Sequence, residues 1–172
     1  MKKLPLTLTF VLSLIFFYHS SAISAQNPCK LVTEEQITKI IKDFGFKKSR
    51  YVDGRGYFLG QSCEYFGNGK SVTITVEDKD DFAKGNNIFS SAAEKFEREQ
   101  KAAAPGIIQP VSDLGVEAFW NRTSLTFLKN GSLYTVRVHA GKGLKFKDTK
   151  EIERVNLGFS KAIAKKIIGA LD

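Results

Sequence analysis

The apolar positions of this chain first run together and then break into short periodic segments. Residues 4–18 are apolar except at Pro5, Thr7, Thr9 and Ser13, behind a basic Met1-Lys2-Lys3 start. A small polar run, His19-Ser20-Ser21-Ala22-Ile23-Ser24-Ala25, follows. Basic start, apolar centre and small-residue end make the three-part pattern of a secretory signal peptide, here residues 1–25. The apolar run falls short of the roughly 20 residues that span a bilayer, so a cleaved leader is preferred to a membrane anchor.

Beyond the leader the period changes repeatedly. Thr33-Glu34-Glu35-Gln36 reads as a capping box, followed by Ile37, Ile40, Ile41 and Phe44 at helical spacing and Gly45 as a stop. Residues 51–60, rich in glycine and aromatics, read as a turn leading into a strand at 61–66. Gly67-Asn68-Gly69 reads as a hairpin turn, and Val72, Ile74 and Val76 alternate with Thr73, Thr75 and Glu77 as a half-buried strand. Residues 78–87 read as a polar connection. A helix is expected from about Ser90, with Ala92, Ala93, Phe96 and Ala103 on its apolar side, stopped by Pro105-Gly106.

Strand-like runs at 107–110, 115–121, 124–129 and 133–140 follow, the last two joined by Asn130-Gly131, a strong type I′ hairpin signal. Residues 141–147 read as a basic loop. Asp148-Thr149-Lys150-Glu151 opens a final helix expected to bury Ile152, Val155, Phe159, Ile163, Ile167 and Leu171. Strands joined by tight turns pair antiparallel, and a sheet with one apolar face needs helices over it. The expectation is an α+β fold: an antiparallel sheet with helices packed on it, a layered sandwich in a single domain over residues 26–172.

Composition narrows the function classes. The chain has 172 residues, 42% hydrophobic and 26% charged, a globular balance. Residues 26–172 carry 24 Lys and Arg against 18 Asp and Glu, a net charge of +6. That excess is dispersed, so it fits attraction to anionic surfaces without making a nucleic-acid signature. Two cysteines are too few for a four-thiolate zinc site. In an exported chain Cys29 and Cys63 are expected to form a structural disulfide. Gln26 and Pro28 at minus three and minus one do not suit lipidation of Cys29.

Several segments together resemble a known family. Pro28-Cys29-Lys30-Leu31-Val32-Thr33 before a short helix, Cys63-Glu64-Tyr65 opening a strand, and Val111-Ser112-Asp113-Leu114-Gly115-Val116-Glu117-Ala118-Phe119-Trp120 before a hairpin are similar to small secreted bacterial envelope lipoproteins of unknown function. The resemblance covers most of residues 28–172 and implies an envelope location but no catalytic residues. The absent lipidation site is a departure from that family.

Candidate chemistry is sparse. His139 is the single histidine after the leader, and no G-x-S-x-G nucleophile elbow occurs. Alternation through 133–140 puts Tyr134, Val136, Val138 and Ala140 on one face and Thr135, Arg137 and His139 on the other. If the second face is open, Arg137 and His139, with Thr135, are the ligand-facing set. Arginine offers a planar fork to a carboxylate or phosphate, and histidine a proton-dependent charge. Glu77-Asp78-Lys79-Asp80-Asp81 lacks the residues an EF-hand loop needs, with Phe82 where an acid or amide belongs. The glycines of 54–60 lack the spacing and strand-to-helix context of a dinucleotide loop. Asn121-Arg122-Thr123 and Asn130-Gly131-Ser132 match the glycosylation sequon, a short pattern that arises by chance. No metal or cofactor is implied. Two readings remain: a secreted or periplasmic non-enzymatic module binding an envelope protein or anionic component, and, as the alternative, a small envelope hydrolase with a carboxylate-based site.

Overall fold

A computed structural model describes residues 27–54, 60–83, 88–140 and 148–172. The expected leader, the basic loop at 141–147 and most of the glycine-rich run at 54–60 lie outside them. Among the described residues the chain builds one seven-stranded antiparallel sheet in the order β1-β2-β3-β7-β6-β5-β4. The strands are β1 (Lys48–Asp53), β2 (Gln61–Phe66), β3 (Ser71–Glu77), β4 (Gln109–Pro110), β5 (Ala118–Trp120), β6 (Ser124–Lys129) and β7 (Ser132–His139). The helices are α1 (Glu34–Ile40), α2 (Lys79–Ala83), α3 (Ala92–Ala102) and α4 (Thr149–Leu171), with a 3₁₀ turn at Pro28–Lys30. This is the α+β architecture anticipated above, with β3 paired to β7 joining the two halves.

Local signals explain most of these elements. Thr33 Oγ1 accepts from Gln36 N while Gln36 Oε1 accepts from Thr33 N, the reciprocal capping box that starts α1. Asn130 and Gly131 have φ of 51° and 74°, the left-handed pair a type I′ turn requires between β6 and β7. Asp148 accepts from Glu151 N to open α4. Asn68 N donates to Phe44 O and Lys70 Nζ donates to the carbonyls of Lys42 and Asp43, so the β2–β3 hairpin satisfies the backbone beyond α1.

The sheet register sorts side chains into two faces. On one, the row Trp120, Leu125, Val136, Ile74, Cys63, Tyr51 runs across six strands. The 3₁₀ turn, α1 and α4 cover this face and close the main core, in which Ile37, Ile41, Phe44, Phe127, Ile163 and Ile167 are fully buried. The Tyr65 hydroxyl donates to Val32 O inside this core, and burial pushes its phenol up to about 12. A phenol with a raised folded pKa leaves stability intact below the ordinary value of 10.0 and lost as pH rises from there through about 12. A spectrophotometric titration should therefore show one tyrosine ionising last, together with alkaline unfolding. Ionisation of every tyrosine near pH 10.0 in a folded protein would contradict this burial.

Several expectations need correction. The first helix stops at Ile40 with Ile41 as its cap, not at Gly45, so Phe44 is buried from the segment beyond the helix. The 51–60 turn begins later than expected, because Lys48–Asp53 forms β1; this edge strand is almost entirely exposed, so no apolar period marks it. The 78–87 connection contains α2, with Asp78 and Asp81 buried; Asp78 accepts from the amides of Asp80 and Asp81, and Asp81 from that of Asp78. The strands expected at 107–110 and 115–121 shorten to Gln109–Pro110 and Ala118–Trp120. On α3, Ala92 and Phe96 are buried, but Ala93 is exposed and Ala103 lies beyond the helix.

The last correction concerns α4. It buries Asn156, Ser160, Ile163, Ala164 and Ile167, while Ile152, Val155, Phe159 and Leu171 are only partly covered. Asn156 Oδ1 accepts from Ala140 N at the end of β7, which turns that polar residue inward. The small Ser160 and Ala164 sit on the same face and permit close approach to the sheet.

Candidate functional site

The second face of the sheet is covered at one end only. Along it, Phe119, Thr126, Thr135, Thr75, Ser62 and Val52 form one row, and Ser124, Arg137, Thr73, Glu64 and Arg50 form the next. Over β5, β6 and the adjoining end of β7, α2 and α3 bury a second small core of Phe82, Ala92, Phe96, Phe119 and Leu133. The Phe96 and Phe119 rings meet at 5.0 Å. Over β1, β2, most of β3 and the far end of β7 no described helix lies on this face. The step from covered to open sheet leaves a groove of about 1050 Å³, lined by Arg50, Val52, Glu64, Thr75, Glu77, Lys95 and Arg137 among others.

The groove wall is a charged clasp. Lys95 of α3 donates to both carboxylate oxygens of Glu77 at 2.7 Å each, and Glu99 lies 3.8 Å away on the helix turn above. Burial pushes the Glu77 carboxyl above the usual range; Lys95 pulls it down, and Glu99 and Asp81 push it up again. Burial raises Glu99 as well. On the opposite side, Arg50 Nε and Nη2 both donate to Glu64 Oε2. Lys48 and Arg50 also lie over the Phe66 ring at 5.6 and 5.9 Å. On the floor, Ser62 and Thr75 share a 2.9 Å hydroxyl contact.

Thr135, Arg137 and His139 occupy this same face, the first half-buried and the other two exposed. Thr135 lies 3.5 Å from the Thr126 hydroxyl at the covered margin. Arg137 lines the groove, whereas Thr135 and His139 stand along β7 outside its lining. Strand neighbours surround Arg137 with Thr73 on β3 and Ser124 on β6, and His139 stands opposite Ser71. Arg50 and Lys95 each hold a carboxylate; Arg137 holds none. All 18 Asp and Glu lie among the described residues, so no acid elsewhere in the chain competes for that guanidinium. The groove thus combines two satisfied ion pairs with one arginine whose fork is open to solvent.

Other candidates are absorbed by structure. Asp78 and Asp81 spend their oxygens on the amides that start α2, and among the described residues no three His, Cys, Asp or Glu side chains are grouped to hold a metal. Asn121 Oδ1 accepts from Thr123 N and Ser124 N in the β5–β6 turn. Cys29 and Cys63 form the disulfide, with their Cα atoms 5.0 Å apart. The Cys29 sulfur is therefore engaged and carries no lipid thioether. No described helix is long and apolar enough to cross a membrane.

Arg50, Glu64, Glu77 and Lys95 were not among the residues singled out from sequence as ligand-facing. Alternation at 71–77 places Glu77 with Thr73 and Thr75, but its partner Lys95 lies on a helix 18 residues away. Comparison with protein-family models, curated proteins and solved structures finds no match.

Proposed function

We propose that this chain is an exported, non-enzymatic binding module whose ligand surface is the open half of the sheet, with Arg137 receiving an anionic group of the ligand. The observation that carries the reading is the unpaired Arg137 fork in a groove whose other lining cations, Arg50 and Lys95, already hold carboxylates. A guanidinium takes a carboxylate or phosphate through two parallel hydrogen bonds, and the adjoining Thr73 and Thr135 hydroxyls suit the remaining oxygens. The disulfide fits an oxidising compartment, which with the leader-like residues 1–25 supports a periplasmic or secreted location. The ligand is then an envelope protein or another anionic envelope component rather than nucleic acid. The resemblance to small envelope lipoproteins agrees with that address, and the bonded Cys29 argues for a form without the lipid.

The hydrolase alternative has one specific observation in its favour: Glu77 faces the groove with its proton affinity raised by burial. Against it, both Glu77 oxygens lie on the Lys95 ammonium, and Glu64 is held by Arg50. Neither is placed as a free acid or base opposite the other.

Substituting Arg137→Glu tests the module reading. The side chain is exposed, so the variant should unfold within about 0.5 kcal/mol of the parent. Immobilised on a support, it should retain far less material from solubilised envelope than the parent chain does. Equal retention by a correctly folded variant would move the site off this face. Hydrolysis of an envelope substrate that disappears in Glu77→Gln would favour the alternative.

A further inference from the structure

We propose that Glu77, Lys95 and Glu99 form a proton-operated switch on the groove. At neutral pH the two carboxylates hold the Lys95 ammonium, and in acid they release it to join Arg137 as a second cation for the anionic ligand. The inference rests on the reading that Arg137 receives an anion. Lys95, Glu77 and Arg137 line the same groove. The Lys95 ammonium sits 2.7 Å from both Glu77 oxygens and 3.8 Å from Glu99 Oε1. One positive charge thus faces two negative ones, and a proton on Glu77 removes the charge that holds it most closely.

The clasp suits a response to acid better than the holding of the fold. α3 is already docked by Phe96, whose ring lies 5.0 Å from that of Phe119. A buried ion pair adds little stability, because both charges must first be taken out of water. Glu77 is buried, and burial is the largest influence on its carboxyl, lifting it above 4.5 in spite of Lys95. Burial raises Glu99 too, so both acids favour the proton. A carboxyl raised in the folded state contributes stability that is full below the unfolded value of 4.5 and lost as pH rises through the folded one. Acid therefore opens the clasp without working against the fold.

The neighbouring charges reinforce this. Asp81 of α2 raises Glu77 further, while Asp78 gives its carboxylate to the α2 amides. Across the groove Glu64 is held by Arg50, and Arg137 stands on β7. Lysine carries its ammonium on a flexible four-carbon stem, so the released charge swings from the wall into the groove. Binding and protonation are then linked in both directions: acid favours the anion, and the anion favours the proton.

Sulfate is a suitable probe, because its own charge stays constant across the acid range. At constant ionic strength its affinity for the parent chain should rise about fivefold or more between neutral pH and pH 4.5. In NMR of isotope-labelled protein, sulfate should shift the Arg137 Nε–H signal at both pH values and the Lys95 side-chain signals only in acid. Glu77→Gln/Glu99→Gln keeps every other carboxylate. With unchanged circular dichroism, it should bind sulfate at neutral pH as the parent does in acid and lose most of the pH dependence. His139→Gln should leave the acid gain intact, although His139 stands on the same face. Lys95 signals indifferent to sulfate in acid, with Arg137 responding, would overturn the switch and leave the Arg137 reading standing. An Arg137 signal unmoved at both pH values would remove both. A full acid gain in the double variant, or its loss in His139→Gln, would also overturn the switch.

Discussion

Replacing Cys29 and Cys63 together by alanine should lower the unfolding free energy by about 3–4 kcal/mol, the chain-entropy value for a cross-link of this loop length. The bond spans 34 positions and ties the 3₁₀ turn to the middle of β2. Without it the unfolded chain regains the freedom of that loop, while the folded turn at Pro28–Lys30 keeps its Asn27 cap and its packing against β2. The loss should therefore appear as a lower urea midpoint with a native-like circular dichroism spectrum below the transition. Cys63 is completely buried, so the alanine pair avoids placing a hydroxyl there. A change below about 1 kcal/mol would mean that the unfolded ensemble already holds these segments together.

Truncating Phe119 to alanine is expected to cost about 3–5 kcal/mol, as for a large aromatic removed from a packed core. Phe119 shares its sheet row with Thr75, Ser62 and Val52, which face the open groove, yet it is 1% exposed because α3 lies over it. Its ring packs against Phe96 across that interface. Val52→Ala on the same row, beyond the cover of α3, should cost much less. Denaturant titration of the two variants measures how the covered and open halves differ. Similar small losses at both positions would remove α3 from the sheet and with it the groove wall.

What the sequence revealed follows the range of the signals. β6, the Asn130-Gly131 turn and the start of β7 are specified within about a dozen neighbouring residues, by alternation and by one dipeptide with two positive φ values. The caps at Thr33 and Asp148 are equally local. β1 left no such trace: a strand that buries almost nothing has no apolar period to read. α2 was hidden because its first turn is acidic, and the same carboxylates that resembled a solvated loop cap their own backbone.

The inward turn of Asn156 depends on a backbone amide 16 residues away. The groove lies at the far end of this scale. Alternation alone puts Thr135, Arg137 and His139 on one side of β7. That Arg137 lines a groove and is left without a carboxylate depends on β1, β2, β3 and α3 arriving around it.

The central claim is that the open half of the sheet receives an anion at Arg137, and residue-resolved NMR tests it most directly. Inorganic phosphate added to isotope-labelled protein at constant ionic strength should shift the Arg137 side-chain Nε–H signal together with the amides of Thr73, Thr75 and Thr135. The same signals should stay fixed in Arg137→Glu. Shifts confined to α4, or spread evenly over the surface lysines with Arg137 unmoved, would contradict the account.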